Sequence, residues 1–167
     1  MTAEPRPVTT GEIDAADFRQ FMSHWPTGVT VVTTRDGDAP VGCTVNAMMS
    51  VSLSPPLLVV SLAAASHTLA AVRRTGSFAL NVLCAAQLEL CRRFAGGPHR
   101  DRFTGVSYRY HLRLPVLADV VAAMVCTVVE ARPCGDHVLV VGAPVWHTAR
   151  EGGVPLIFHH RSYHSLP

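Results

Sequence analysis

Charge is scarce in this chain of 167 residues: Asp, Glu, Lys and Arg together make up 16%, and aromatic residues only 7%. Fourteen basic against twelve acidic side chains leave a net charge of +2, far from the strongly basic balance of a nucleic-acid-binding domain. The best basic stretch, Arg100 to Arg113 with Tyr108, Tyr110 and His111 interleaved, reads as a solvated loop face. No nucleic-acid partner is expected. Cysteines are few and scattered. Cys43, Cys84, Cys91, Cys126 and Cys134 form no Cys-x-x-Cys pair, and their odd number and wide spacing do not describe a disulfide framework or a zinc site. The opening residues lack a basic region followed by an apolar run, so no secretory signal is expected. Long apolar runs are missing too. Pro55-Pro56 precedes the run Leu57–Ala65, and Asp119 interrupts the stretch Val116–Val129, so no membrane span is expected. Reduced thiols in a cytoplasmic protein follow.

Several chemistries lack their signatures. There is no Gly-x-x-x-x-Gly-Lys-Ser/Thr loop, no Gly-x-Gly-x-x-Gly fingerprint and no Gly-x-Ser-x-Gly elbow. Nine histidines invite a metal, but His160 and His164 are four apart in a segment that reads as strand, not helix. No metal site is assigned.

What the chain has in plenty is apolar side chains, 49% of the total. That suits a single compact domain with its own core and speaks against disorder. With so little charge, some apolar surface is expected to be covered by another copy or a ligand, making a homo-oligomer the first expectation for assembly. Residues 1–12, with Pro5, Pro7 and Gly11, read as a flexible tail, and 13–167 as the domain.

Asp14 caps an expected helix over Ala15–His24, stopped by Pro26. Thr27–Thr34 reads as a strand, followed by a turn at Arg35–Asp38 containing Asp-Gly. Pro40–Leu53 reads as one returning strand, with Gly42 a bulge or close-approach point. Leu57–Ala63 is a continuous apolar strand expected to be buried on both faces. Ser66 caps a short helix that ends near Gly76, and Ser77–Leu83 is another strand. A helix is expected over about Ala85–Ala95, then a long irregular stretch from Gly96-Gly97-Pro98 to Pro115. Ala122–Arg132 and His137–His147 read as long strands, and Pro155–His160 as a last short one. Six or more strands, mostly in hairpin order, predict a mainly β fold: a closed antiparallel barrel with helices at its rim.

Several blocks then resemble, in order, the short-chain flavin reductases, the reductase components of two-component flavin monooxygenases. Trp25-Pro26-Thr27-Gly28-Val29 is similar to the family's Phe-Pro-Thr-Gly-Val, and Gly42 through Pro56 to its Gly-x-Thr-x-Asn/Ser-x-x-x-Ser-Val-Ser-Leu-x-Pro-Pro run. Ser66-His67-Thr68-Leu69 and Phe78-Ala79-Leu80-Asn81-Val82-Leu83 match two further blocks. So do Phe94-Ala95-Gly96 with Asp101-Arg102-Phe103, then Gly135-Asp136-His137, and Pro155-Leu156-Ile157-Phe158-His159 with Tyr163. The likeness runs from Asp17 to Tyr163.

The resemblance implies a six-stranded FMN-binding split barrel of Greek-key-like order, homodimeric, with flavin held near the dimer interface. It implies an NAD(P)H-dependent flavin reductase that passes hydride from nicotinamide C4 to flavin N5 and releases reduced FMN or FAD to a partner monooxygenase. Carried over by position, Ser66, His67 and Thr68 are expected at the flavin phosphate, where hydroxyls and a helix N-terminus suit an anion. Thr44, Val45, Asn46, Ala47, Met48 and Ser50 are expected along the ring. Thr27, Asn81, Phe94, Arg102, Phe103, His159 and Tyr163 complete the expected cofactor contacts. His137 and His159 are the expected nicotinamide-side residues, able to polarise the carboxamide or relay a proton. Ala47 stands where many members have Ser, Met48 where Phe is frequent, Phe158 where Tyr is usual, and His160-Arg161-Ser162 where Arg-Gly-Arg is common. Those departures bear on nicotinamide preference and flavin affinity. The residues leave FMN against FAD, and NADH against NADPH, open. They also leave room for a dedicated flavoenzyme that keeps its flavin and acts on an organic substrate, or for a non-catalytic flavin or haem binder.

Overall fold

The computed structural model describes residue 11 and residues 13–166, so apart from Gly11 the expected tail lies outside the described residues. Helix α1 (Ala15–Ser23) starts at Asp14, whose carboxylate accepts from the backbone N–H of Ala16 and Asp17, each at 2.8 Å. Strands β1 (Thr27–Gly28), β2 (Thr30–Asp36), β3 (Ala39–Val45), β4 (Met48–Leu53) and β5 (Pro56–Ala63) follow. Helix α2 (His67–Thr75) and β6 (Ser77–Val82) come next, then a 3-10 turn (Ala85–Gln87) leading into α3 (Leu88–Ala95). The chain ends with β7 (Tyr108–His111), β8 (Leu114–Leu117), β9 (Ala122–Cys134), β10 (His137–Ala149), β11 (Leu156–His159) and β12 (Ser162–Ser165).

One antiparallel sheet of seven strands carries the fold, in the order β3-β2-β6-β9-β10-β5-β4. Its two edge strands are consecutive in the chain, separated only by Asn46 and Ala47. Across that break the Ser61 N–H donates to the Ala47 carbonyl at 3.0 Å, so β3 and β4 behave as one bent strand reaching both edges. Counted that way the sheet is the expected six-stranded barrel, split where the strand bends. Inside it lie Val32, Val60, Leu62, Phe78 and Val140, and α2 adds Leu69 and Val72 to the same core from one end. Alternation sends Val31, the neighbour of Val32, to a second cluster outside the barrel wall with Leu83, Cys91, Phe94 and Leu156. There α3 and the small sheet β1-β11-β12 cover it. Burying a side chain such as Phe78 or Phe94 stabilises the fold by about 1.5–3 kcal/mol.

Two glycines are fixed by contact. A Cβ on Gly42 would sit 2.8 Å from the Val32 carbonyl oxygen, which makes Gly42 the expected close-approach point. On Gly142, at a register shift in β10, it would sit 2.7 Å from the Phe78 ring.

Four expectations need correcting. Pro40–Leu53 is two strands, because the chain must leave one sheet edge to reach the other. β5 buries only one face: Leu58, Val60 and Leu62 point inward, while Leu57, Val59 and Ser61 are half-buried. The stretch after Gly96 contains the hairpin β7–β8, whose Leu114 and Leu117 are buried. The last segment is a hairpin, β11–β12, and not a lone strand. Among the described residues no helix is long and apolar enough to cross a membrane.

Candidate functional site

At the end of the barrel where α2 begins, a cleft of about 540 Å³ opens between the β3–β4 break, the end of β5, the start of α2, the end of α3 with Gly97–His99, and the start of β10. Each wall has a local cause. Ser66 N-caps α2, its hydroxyl 3.4 Å from the Leu69 N–H, and Gly76 ends the helix in the left-handed region at φ 65°. The helix therefore presents its N-terminal N–H groups and the positive end of its dipole to the cleft. On the opposite wall the Arg102 guanidinium donates to the carbonyls of Gly42 at 2.8 Å and Gly97 at 3.4 Å, tying the loop after α3 to β3. Its Nε is buried without a partner among the described residues. At the start of β10, His137 Nδ1 lies 2.7 Å from the Asp136 carboxylate, and that hydrogen bond holds Asp136 below the usual carboxylate range. The floor is Cys43, whose thiol burial pushes up, partly offset by hydrogen bonds from Thr68 and Ser66.

This donor set fits a flavin phosphate. A capped helix N-terminus and the Ser66 hydroxyl are anion-seeking groups at one space, and the cationic Arg102 lines the same cleft. Beside them, Asn46 and Ala47 are exposed in the break between strands, where a polar ring edge would meet backbone.

Of the expected site residues, the cleft gathers Thr44, Val45, Asn46, Ala47, Ser66, His67, Phe94, Arg102 and His137. Thr68 is buried, 2% exposed, and does not line the cleft; its side chain partly offsets the rise of the Cys43 thiol. The Thr44 hydroxyl donates to the Cys91 carbonyl at 2.7 Å and so is tied to α3. The others lie elsewhere. Asn81 is fully buried, with both ends of its amide bonded inside the protein, which leaves it no group for a ligand. Phe103 packs edge-on against Phe94 in the outer cluster. Met48 and Ser50 line an apolar groove along β4. Thr27 pairs with Phe158 at the small sheet. Tyr163 packs there too, its phenol pushed up to about 12 by a hydrogen bond with Cys91 and by burial. His159 meets His160 and, more loosely, His164, with His24 against His160. The histidines are therefore less scattered than their spacing suggests, although the described residues contain no group of three or more His, Cys, Asp or Glu placed to hold a metal ion.

Sequence reasoning missed Cys43, Ser61, Pro98 and His99 in the lining. For Pro98 and His99 the nearest signals were the helix-ending Gly96-Gly97-Pro98 and the flanking Phe94 and Arg102, which line the same cleft.

Residues 22–167 match the family model described as the flavin reductase like domain. A flavin reductase (NADH) from Kitasatospora aureofaciens is 41% identical, over 98% of this chain and 87% of its own. The reductase component of a 4-nitrophenol 4-monooxygenase/4-nitrocatechol 2-monooxygenase from Rhodococcus opacus is 32% identical over 93% and 83%. Among solved structures, an NADH:FAD oxidoreductase of Streptomyces globisporus C-1027 superposes with a TM-score of 0.89 at 28% identity, covering 98% of this chain and 99% of that one. A split barrel, a cleft at a helix start, and a match over nearly the whole length lead to one conclusion: the chain belongs to the flavin reductase family.

Proposed function

We propose that this protein is an NAD(P)H-dependent flavin reductase, reducing FMN or FAD in the cleft and releasing it to a flavin-dependent monooxygenase. The observation that carries the reading is the convergence of the α2 N-terminus, Arg102 and the exposed Asn46–Ala47 break around one space. When bound, the flavin supplies the redox chemistry, taking hydride at N5 from nicotinamide C4. The chain's part is to bind, orient and exclude water. Ser66 and the first turn of α2 hold the phosphate. Arg102 adds a positive charge to the same cleft, and Asn46 with Ala47 borders the ring. Asp136 fixes the His137 ring through Nδ1, leaving Nε2 to bond the nicotinamide carboxamide. An open cleft suits a flavin that must leave again.

A homodimer belongs to the same reading. β4 is exposed over most of its length, with Met49 at 60% and Leu53 at 90%, and an apolar groove of about 400 Å³ runs beside it. A second copy lying there covers Met48 and Ser50 next to Ala47 and so brings the interface to the cleft. All five cysteines are unpaired, which supports a cytoplasmic setting.

The test is anaerobic. Protein, excess FMN or FAD, and NADH or NADPH are mixed while flavin absorbance is followed. Multiple turnovers of free flavin are the expected result. Bleaching of a single bound equivalent identifies a dedicated flavoenzyme, and no bleaching identifies a binder; either outcome overturns the proposal.

A further inference from the structure

A second cleft, of about 520 Å³, adjoins the first, and both are lined by His67 and His99. The two imidazoles lie face to face, ring centroids 4.1 Å apart and 34° from parallel. They form the neck between the clefts, one from the first turn of α2 and the other from the 3-10 turn His99–Asp101. Beyond the neck the wall is mostly apolar, with Pro40 and Val41 on β3 and the Phe103 ring, and Arg100 is exposed beside them. One carboxylate, Asp36, also lines this space, but it is already engaged, 2.9 Å from Arg74 Nη2 and 3.3 Å from His67 Nε2.

We propose that this second cleft takes the adenylate half of FAD, and that the His67–His99 neck makes the protein prefer FAD to FMN. The inference rests on the reading above, which seats the flavin phosphate at the start of α2. FMN ends at that phosphate. FAD continues with a second phosphate, a ribose and adenine, and the neck with its cleft is the space lying past His67 on that side. Arg100 supplies a cation for the second phosphate, which the paired Asp36 does not repel with a free charge. His99 and Phe103 supply ring surface for the adenine, and the apolar β3 wall excludes water.

The experiment is equilibrium binding of FMN and of FAD to the purified full chain, read by quenching of flavin fluorescence. It compares wild type with His99→Ala and Arg100→Ala, each variant first shown to melt cooperatively. Wild type is expected to bind FAD more tightly than FMN. Loss of one stacking ring should lower the FAD-to-FMN affinity ratio about tenfold in His99→Ala. Arg100→Ala should lower the ratio as well, and more at low salt than at high salt, as for an exposed cation facing phosphate. A ratio unchanged in both variants overturns the proposal. So does an unchanged ratio with a raised KM for NADH when FMN is the acceptor, since the adenylate held there is then that of the nicotinamide dinucleotide. If wild type binds neither flavin, the reductase reading itself falls, an outcome distinct from binding both flavins without preference.

Discussion

His137 lines the cleft with its Nδ1 2.7 Å from the exposed carboxylate of its neighbour Asp136. If it orients the nicotinamide, His137→Ala should lower kcat/KM for NADH by about a hundredfold, a typical loss for a positioned proton-handling or polarising group. Flavin affinity should change much less, because the proposed phosphate seat is at the start of α2, away from β10. Steady-state kinetics beside a flavin titration separates the two, and equal losses in both would place His137 at the flavin instead. His67 gives a pH dependence of defined sign. Burial, with His99 next to it, holds its pKa below the ordinary 6.5, and Asp36 only partly offsets this. The folded protein thus binds a proton less readily than the unfolded chain. The stabilisation is present above pH 6.5 and is lost as pH falls through the lowered folded value. His160 is shifted the same way, by burial and by His159, His24 and His164. Thermal melts from pH 7.5 down to about 5 should show Tm falling below pH 6.5, with a shallower fall in His67→Gln.

At the scale of elements, Asn81 ties three strands together. Its Nδ2 donates to the Val31 carbonyl at 2.9 Å and contacts Thr33 Oγ1 at 3.1 Å, while its Oδ1 accepts from the Leu117 N–H at 2.9 Å. That joins β6 to β2 on one side and to β8 on the other. Asn81→Leu leaves buried partners unsatisfied, so a loss of about 2–4 kcal/mol is expected in urea unfolding, as a lower midpoint at constant m. The residue was recognisable in the sequence as a polar group in an apolar strand, but its partners lie 36 to 50 positions away and nothing local names them. Other elements were readable because their signals are local: Asp14 and Ser66 as caps, Gly76 as a helix end. The hairpins β7–β8 and β11–β12 were not. Each closes with two residues at positive φ, Leu112 at 48° with Arg113 at 67°, and His160 at 48° with Arg161 at 59°. Turns of that kind normally announce themselves with Asn or Gly, and here neither appears. The double change Leu112→Asn with Arg113→Gly should therefore relieve strain and raise stability by about 1 kcal/mol, seen as a higher urea midpoint. The β3–β4 break was hidden for a similar reason, since Asn46-Ala47 contains no glycine or proline. As for the cleft, spacing alone would have left Thr44 to Ala47 as ordinary strand. Only resemblance to a family marked them, and resemblance offered no view of His99 or Cys43.

For the whole molecule, the outstanding imbalance is between the inner and outer faces of the sheet. β5 reads as a strand buried on both faces, yet within one chain Leu57 and Val59 stay half-buried and β4 beside it is almost bare. An edge strand with Met49, Val51 and Leu53 exposed has unpaired backbone and apolar side chains together, a combination that a lone soluble chain avoids. A stable dimer buries about 1,200–2,000 Å² in total, and the groove beside β4 supplies an apolar centre for such an interface. Leu53 separates pairing from folding. It is 90% exposed in the single chain, so Leu53→Asp should change the stability of one subunit by no more than about 0.5 kcal/mol. In a dimer the same carboxylate would be desolvated without a partner, which is far costlier. Light scattering should therefore show wild type at twice the chain mass and the variant shifted toward a single chain as concentration falls. Flavin affinity should fall with it if the proposed second copy closes the side of the cleft next to Ala47. A wild type that stays monomeric, or a variant that remains dimeric, would mean that β4 is covered by something other than a second copy. A variant that dissociates yet binds flavin unchanged would place the whole site within one chain.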